Sequence, residues 1–318
     1  MILYSFLLVL GLVLLLKGAD WFVDGASAMA QRFHISNLAI GLTVVAFGTS
    51  APELVVNTFA AYESHHDIVL GNIIGSNIFN LFMILGIAGI ISPLRVQSST
   101  VWREIPLSFI AVVLLYVLAN GFFFTGENSI SRIDGLIFIF MFAVFLFYVY
   151  KQLHVDVAPQ EESATNFSGL KITILVVLGL AGLVVGGRLV VSNAVQIATL
   201  MGVSEKIISL TIIAAGTSLP ELATSVVAAI KKNNDIAVGN IIGSNIFNIF
   251  LVLGVSSLVR PIGFDTIFNF DIFFLAGGTV FLFLCMFSIN KKRLDRWEAA
   301  ILMLAFILYT AYLIGKEI

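Results

Sequence analysis

Two glutamates lie about midway along long apolar stretches of the sequence. Glu53 follows Gly-Thr-Ser-Ala-Pro, and Glu221 follows Gly-Thr-Ser-Leu-Pro. A carboxylate near the middle of a bilayer is costly, so such a residue normally serves the path of a substrate or an ion. We therefore expect Glu53 and Glu221 to be the charged ligands of a bound cation.

The residues just before each glutamate are expected to break or kink a helix. Pro52 and Pro220 lack an N–H group, and a proline ring clashes with the carbonyl one turn back. Gly48 and Gly216 lower the cost of an irregular backbone. Carbonyls freed by a break need partners in hydrocarbon, and a bound cation is one. Carbonyl, hydroxyl and carboxylate oxygens together suit Na⁺ and Ca²⁺ and are poor ligands for Zn²⁺ or Cu⁺.

A second polar motif, Gly-Ser-Asn-Ile-Phe-Asn, follows each glutamate along the chain. Ser76 and Asn80 are four residues apart and share a helix face, as do Ser244 and Asn248. Such residues could simply hydrogen-bond neighbouring helices, and the Gly-xxx-Gly pattern beside them favours close packing. If these serines and asparagines lie opposite two intramembrane glutamates, their interpretation as ion ligands becomes stronger. The asparagine after each serine points elsewhere and is expected to bond helix to helix or to cap a break.

The composition places the whole chain in a membrane. Of 318 residues, 59% are hydrophobic and 11% are charged, whereas a soluble domain carries about 25% charged residues. The mean hydropathy is +1.04. A net charge of −2 gives no sign of nucleic-acid binding, and the single cysteine excludes an internal disulfide or a thiolate metal cluster.

Ten apolar runs predict an all-α polytopic membrane protein with ten transmembrane helices. About 20 apolar residues are needed to cross the hydrocarbon as a helix. A β-barrel would instead need short alternating segments. The predicted runs are 2–25, 37–62, 68–91, 104–121, 134–151, 169–199, 205–230, 236–259, 269–289 and 297–315.

The chain is an internal duplication. Residues 71–80 are identical to residues 239–248, an offset of 168 (239 minus 71), and the Gly-Thr-Ser-x-Pro-Glu motifs recur at the same offset. The alignment needs no gap between 41 and 93. We predict a first five-helix repeat at 1–151, a linker at 152–168 and a second repeat at 169–318. Because five is odd, the second repeat enters the membrane from the opposite side, so the repeats are inverted.

Lysines and arginines in the loops predict the orientation in the cell (inner) membrane. With the N-terminus outside, the cytoplasmic side holds Arg32, Arg95, Arg103, Lys151, Lys171, Lys231, Lys232, Lys291, Lys292, Arg293 and Arg296. The outer side holds Arg132, Lys206, Arg260 and Lys316. Both termini are therefore expected to face away from the cytoplasm, with the linker inside the cell.

The doubled motifs GTSAPE/GTSLPE and GSNIFN/GSNIFN resemble those of the sodium/calcium exchanger family in the cation/Ca²⁺ antiporter superfamily, especially its short prokaryotic members. The resemblance covers essentially the whole chain. It implies a membrane antiporter that exchanges Na⁺ for Ca²⁺ by alternating access at a central site, and no enzymatic activity. We expect a monomer in the lipid bilayer that needs no cofactor.

The resemblance also implies roles for individual residues. Glu53 and Glu221 are implied to hold Ca²⁺ and neighbouring Na⁺, and Thr49 and Thr217 to add backbone carbonyls to the Ca²⁺ site. Ligands for Na⁺ are implied at Ser50, Ser76, Ser218 and Ser244 and at the carbonyls of Ala46 and Ala214. Asn80 and Asn248 would line the middle. The first and sixth helices are implied to slide across the other eight to switch access.

The sequence leaves more than one possibility for the ion whose gradient drives Ca²⁺ transport. Potassium-dependent relatives carry Asp at the position of Asn248, so Asn in both copies makes K⁺ co-transport less favoured. A proton- or K⁺-coupled cation exchanger is the second reading. A cation channel or an intramembrane protease ranks third, since no span offers a histidine near the motif serines.

Overall fold

The computed structural model describes residues 1–122, 128–153, 167–202, 214–288 and 291–317, and these are almost entirely helical. Nine helices in this part of the chain are long and apolar enough to span a membrane, and α7 is shorter. The helices are α1 (Ile2–Phe33), α2 (Asn37–Tyr62), α3 (His66–Ile91), α4 (Thr100–Ala119), α5 (Arg132–Gln152), α6 (Gly169–Leu200), α7 (Leu219–Ile230), α8 (Asn234–Val259), α9 (Thr266–Cys285) and α10 (Arg296–Glu317).

Nine of the predicted runs coincide closely with a helix. The run 37–62 matches α2 at both ends, whereas α1 continues past 25 to Phe33 because its alanine-rich tail favours helix. The predicted run 205–230 lies partly outside the described residues. Its described part holds a single turn, Ala214–Gly216, followed by α7. Most of the predicted linker 152–168 also lies outside them.

Several helices contain π-helical turns, which the sequence analysis did not predict. They occupy Gly41–Val45 in α2, Phe79–Ile84 in α3, Thr100–Glu104 in α4 and Phe247–Leu253 in α8. The turns in α3 and α8 begin at equivalent residues of the two identical ten-residue segments. Such turns occur frequently at functional sites.

The two prolines behave differently in the two copies. The prediction was that Pro52 breaks or kinks its helix, and the first alternative is wrong, because Ala46–Tyr62 is a continuous α-helix that contains Pro52. In a membrane, local π adjustments allow a proline to be tolerated within a helix, and here a π-helical turn directly precedes that segment. In the second copy Thr217 and Ser218 form a turn, and α7 begins with Pro220 in its first turn. The predicted break is therefore present only there.

The α1 and α6 helices pack against each other through glycines. A Cβ atom added to Gly18 would lie 2.6 Å from the backbone nitrogen of Leu183, and one added to Gly179 would lie 2.6 Å from that of Phe22. Gly11 and Gly186 approach each other in the same way. Because the paired residue numbers run in opposite directions, the two helices are antiparallel, with their backbones nearly in contact.

The α3 and α8 helices form the centre of the described structure, and α1 and α6 lie at its periphery. Within the most apolar window, 94% of the residues of α8 are buried, against 22% in α1 and in α6. A helix that is apolar on nearly all sides is normally buried, and only its few small polar residues can hydrogen-bond to neighbouring helices or to a ligand. Those of α3 and α8 are the serines and asparagines of the repeated motif.

Two short antiparallel strand pairs connect loops of the two halves. Strand β1 (Leu94–Arg95) pairs with β4 (Arg293–Leu294), and β2 (Ser129–Ile130) pairs with β3 (Ile262–Gly263). In the predicted alternation of spans, β1 and β4 belong to one side of the membrane and β2 and β3 to the other. Each strand pair thus joins loops that are expected to share a side.

Candidate cation site

The two motif glutamates are buried in the interior of the helix bundle. Glu53 on α2 and Glu221 on α7 are each 1% exposed. Both carboxylate oxygens of Glu53 and the Oε2 atom of Glu221 have no hydrogen-bond partner among the described residues. Ser50, three residues before Glu53 on α2, is hydrogen-bonded to Glu221, so the two glutamate motifs are in direct contact. Buried charges are normally paired or bound to a metal ion, so this arrangement calls for a cation between them.

Each proline also leaves a backbone carbonyl without its usual donor. Residue 52 has no N–H to give to the carbonyl of Gly48, and residue 220 has none for the carbonyl of Gly216. Both glycines are buried one turn before a motif glutamate. The sequence therefore frees one carbonyl oxygen beside each carboxylate.

One serine bridges the two halves of the protein. The Ser50 hydroxyl donates to Glu221 Oε1 at 2.9 Å, and its oxygen lies 3.0 Å from Ser244 Oγ. The equivalent serine, Ser218, is fully buried, but its hydroxyl has no partner in the described part of the chain. The contact between Ser218 and Glu53 that exact symmetry would produce is thus not formed. The Glu221 half of the site is closed by a hydrogen bond, and the Glu53 half is not.

Four asparagines form a reciprocal network between α3 and α8. Asn77 Nδ2 donates to the carbonyl of Asn245 at 3.2 Å, and Asn245 Nδ2 donates to the carbonyl of Asn77 at 3.3 Å. The prediction that these two bond helix to helix is confirmed. Asn80 Nδ2 donates to Asn245 Oδ1 at 3.1 Å, and Asn248 Nδ2 donates to Asn77 Oδ1 at 3.0 Å. The Oδ1 atoms of Asn80 and Asn248 remain buried without a described partner, so each is free to accept from or coordinate a ligand.

Two further asparagines, which the sequence analysis missed, hold the motif threonines. Thr49 Oγ1 donates to Asn240 Oδ1 at 3.1 Å, and Thr217 Oγ1 donates to Asn72 Oδ1 at 3.1 Å. Each bond joins one half of the protein to the other. Asn72 and Asn240 are the second residues of the identical ten-residue segments, so the repeat itself carried the signal. They position the backbone next to each glutamate.

The remaining predicted residues lie at the edge of this cluster. Ser76 is buried and donates to Asn72 Oδ1 of its own helix at 3.3 Å. Ala46 is buried, and its carbonyl lies 3.4 Å from Thr49 Oγ1. Ala214 begins the helical turn before Thr217, and its side chain is outside the described part.

The side-chain atoms left without partners at the centre are nearly all oxygens. The oxygens include Glu53 Oε1, Glu53 Oε2, Glu221 Oε2, Asn80 Oδ1, Asn248 Oδ1 and Ser218 Oγ, and the nitrogen is Asn72 Nδ2. Hard cations such as Na⁺ and Ca²⁺ prefer oxygen ligands of this kind. Two carboxylates balance one divalent cation or two monovalent ones, so the donor set fits these ions in both charge and chemistry.

The positioning role of Asn240 leads to a testable prediction. We expect Asn240→Ala to weaken Ca²⁺ binding by about 10- to 100-fold, the usual cost of losing a group that orients a metal ligand. The substitution removes the acceptor for Thr49 and also a 2.9 Å bond to Ser225. Calorimetric titration of the purified protein with Ca²⁺ measures the effect.

Asn120→Ala is the matched control, because Asn120 forms a reciprocal pair with Asn269 between two other helices, at 2.9 and 3.0 Å. An equal loss of Ca²⁺ affinity in both variants would show that Asn240 contributes only to packing.

Comparison with known proteins gives a consistent pattern. The family model described as sodium/calcium exchanger protein matches residues 3–151 and 171–315. The putative antiporter CaxA of Alkalimonas amylolytica is 40% identical over 97% of this chain and 98% of its own. The sodium/calcium exchanger MaX1 of Methanosarcina acetivorans is 32% identical over 98% of this chain and 99% of its own. A solved structure of the sodium-calcium exchanger NCX_Mj superposes with a TM-score of 0.84 at 33% identity and covers 98% of this chain and 99% of that one.

Proposed function

This chain belongs to the sodium/calcium exchanger family, and from that premise we propose that it is a membrane antiporter that exchanges Na⁺ for Ca²⁺ at the site between Glu53 and Glu221. The observation that carries the proposal is the pair of buried carboxylates, one from each half, with three oxygens lacking described partners. The names of MaX1 and NCX_Mj, both sodium/calcium exchangers, support the choice of ions. The protein is a transporter and not an enzyme.

We assign the ligands as follows. Glu53 and Glu221 hold Ca²⁺, together with the backbone carbonyls of Thr49 and Thr217. The Na⁺ ligands and the residues that line the middle are Ser50, Ser76, Ser218, Ser244, Asn80, Asn248 and the carbonyls of Ala46 and Ala214. Support comes from the burial of all the described side chains except that of Thr217, which is half-buried, and from the free oxygens of Ser218, Asn80 and Asn248.

Charge explains why one site gives exchange. Two carboxylates neutralise one Ca²⁺, or two Na⁺ with a third held by neutral oxygens. Occupancy by both ions at once would leave excess positive charge in a medium of low dielectric constant, which is unfavourable. Ca²⁺ and Na⁺ therefore exclude each other, and each ion is carried across the membrane only after the other has left the site.

Alternating access follows from inverted repeats, in which the two halves open in turn. We propose that α1 and α6 slide together across the rest of the bundle. Their close glycine contacts and peripheral position support a common motion. The unequal hydrogen bonding at the two glutamates is also consistent with alternating access. When the site is open to only one side of the membrane, the two halves must differ in conformation.

The proposed architecture keeps ten spans, with repeats at 1–151 and 169–318 and a cytoplasmic linker at 152–168. The protein is a monomer in the inner membrane of the cell. Both of its termini face away from the cytoplasm. The strand pairs β1–β4 and β2–β3 support this arrangement, since each joins loops expected on one side. The two separate segments matched by the family model support the division into repeats.

Coupling to H⁺ or K⁺ is the alternative, and position 248 tests it. Asn248→Asp replaces a buried amide that donates to Asn77 at 3.0 Å by a third carboxylate near the centre. We expect Ca²⁺ exchange by this variant to gain a dependence on K⁺ or on pH, because the added charge favours one more bound cation or proton. Uptake assays with K⁺ and pH varied in turn measure the change.

Asn80→Asp, at the equivalent position of the first repeat, shows whether the effect belongs to the second copy alone. An unaltered dependence on both ions in Asn248→Asp would mean that this position does not set the coupling.

The experiment that tests the function is ⁴⁵Ca²⁺ uptake by vesicles that contain the purified protein and are preloaded with Na⁺. The Na⁺ gradient, the pH gradient and K⁺ are varied separately. We expect uptake to follow the outward Na⁺ gradient and to disappear when the gradient is collapsed. Uptake that ignores Na⁺ but follows the pH gradient or K⁺ would favour the alternative.

A further inference from the structure

Another buried carboxylate, that of Glu104, lies outside the central site, between α4 and α5. Glu104 is 1% exposed and sits in the π-helical turn of α4. Its Oε1 atom accepts a hydrogen bond from the Tyr148 hydroxyl, whereas its Oε2 atom has no described partner. The buried hydroxyl of Thr100, one turn earlier on α4, is next to the same carboxyl group. A carboxylate buried inside a membrane protein is a candidate functional group.

A small cavity adjoins this carboxylate. Its volume is about 10 Å³, which is close to the space that one water molecule or one small ion occupies. Six of the residues around it offer polar groups: Ser36, Gln97, Ser99, Glu104, Tyr148 and Gln152. Carboxylate, hydroxyl and amide oxygens are therefore available around a space of the right size for a single dehydrated cation.

The charges near the cavity favour a monovalent ion. None of the described residues that line it is a lysine or an arginine. The exposed Arg103 guanidinium lies over the Tyr148 ring, 5.8 Å from its centroid, and its positive charge attracts the Glu104 carboxylate, although the two groups form no described salt bridge. One carboxylate balances one positive charge, whereas a divalent ion would leave a second positive charge buried without compensation.

We propose that this cavity binds one monovalent cation, with Na⁺ as the physiological ion, at a site separate from the one between Glu53 and Glu221. The site is additional to the proposed function and does not rest on it. It lies against the start of α2, the helix that carries Glu53, through Ser36. On its other flank Gln97 donates to Asp235 in the first turn of α8 at 2.7 Å. A bound ion thus braces α2 and α8, two of the helices that build the central site.

The test uses the full chain with the central carboxylates removed. Equilibrium binding of ²²Na⁺ to the purified Glu53→Gln/Glu221→Gln double variant should still show one saturable site per chain. Adding Glu104→Gln should abolish that binding. Adding Arg103→Gln instead should tighten it, because a competing positive charge near the carboxylate is removed.

Tyr148→Phe keeps the aromatic packing and removes one oxygen, so it should weaken ²²Na⁺ binding even if Glu104→Gln does not fold. Two results would overturn the proposal. One is the absence of saturable Na⁺ binding in the double variant, which would leave only a structural water in the cavity. The other is residual binding that neither Glu104→Gln nor Tyr148→Phe changes. Na⁺-driven Ca²⁺ exchange by the Glu104→Gln single variant, in which both central carboxylates are intact, shows whether the central site works without this one.

Discussion

Replacing Glu53 by Gln is expected to reduce Na⁺-driven ⁴⁵Ca²⁺ uptake to the background of empty vesicles, and Glu221→Gln should do the same. Each substitution removes half of the negative charge that neutralises Ca²⁺ in a buried site. Loss of one partner from a buried charge pair costs about 3–5 kcal/mol, which is more than about 100-fold in affinity. Glu53 should be the more sensitive position, because its two oxygens have no described protein partner and depend on the ion.

The control for this experiment is Glu63→Gln, one residue beyond the end of α2, where the side chain is 64% exposed and 3.5 Å from His65. Normal uptake by Glu63→Gln, together with unchanged melting temperatures for both central variants, would separate ion binding from folding. Uptake that persists in either central variant would mean that these carboxylates are structural.

The second large effect is expected at the contact between α1 and α6. Gly18→Ala places a methyl group 2.6 Å from the backbone nitrogen of Leu183 and 2.8 Å from the carbonyl oxygen of Gly179, so the helices must separate. Overpacking of this kind costs about 1–3 kcal/mol. We expect a lower melting temperature and, because the two helices are proposed to move as a pair, slower exchange.

Gly277→Ala is the matched control, since a Cβ atom at Gly277 on α9 meets nothing within 4 Å. There alanine should be neutral or slightly stabilising, by at most about 1 kcal/mol, through its higher helix propensity. Equal behaviour of the two variants would show that the close approach of α1 and α6 has no energetic importance.

The duplication made much of the site predictable. Because residues 71–80 and 239–248 are identical, any contact that one copy makes with the other half should have a counterpart. The reciprocal bonds of Asn77 with Asn245, and of the two motif threonines with Asn240 and Asn72, follow this rule. The ends of α2 were also predictable, since polar and turn residues bound its apolar run.

The differences between the copies were not predictable from the same reasoning. Ser50 and Ser218 occupy equivalent motif positions, yet only Ser50 bonds the opposite glutamate. Identical motifs acquire different contacts only through the conformation of the whole bundle, which no local pattern specifies. Pro52 lies within a continuous helix for a related reason, because keeping the backbone hydrogen-bonded in a membrane outweighs the local preference of proline.

Glu104 was overlooked because it falls at the predicted start of its span. A carboxylate at the end of a span is normally expected to be exposed to water, so nothing in the sequence singled it out. The structure buries it, since α4 begins earlier, at Thr100, and packs against Tyr148 of α5. Burial of a polar residue near a helix end depends on neighbouring helices and not on the period of the apolar pattern.

The central claim is that Ca²⁺ and Na⁺ compete for one site made by both repeats. Equilibrium binding of ⁴⁵Ca²⁺ to the purified protein, measured as Na⁺ is raised at constant ionic strength, tests it most directly. We expect one bound Ca²⁺ per chain, displaced completely by Na⁺ along a sigmoidal curve, because more than one Na⁺ replaces each Ca²⁺. Ca²⁺ that stays bound at saturating Na⁺ would contradict it.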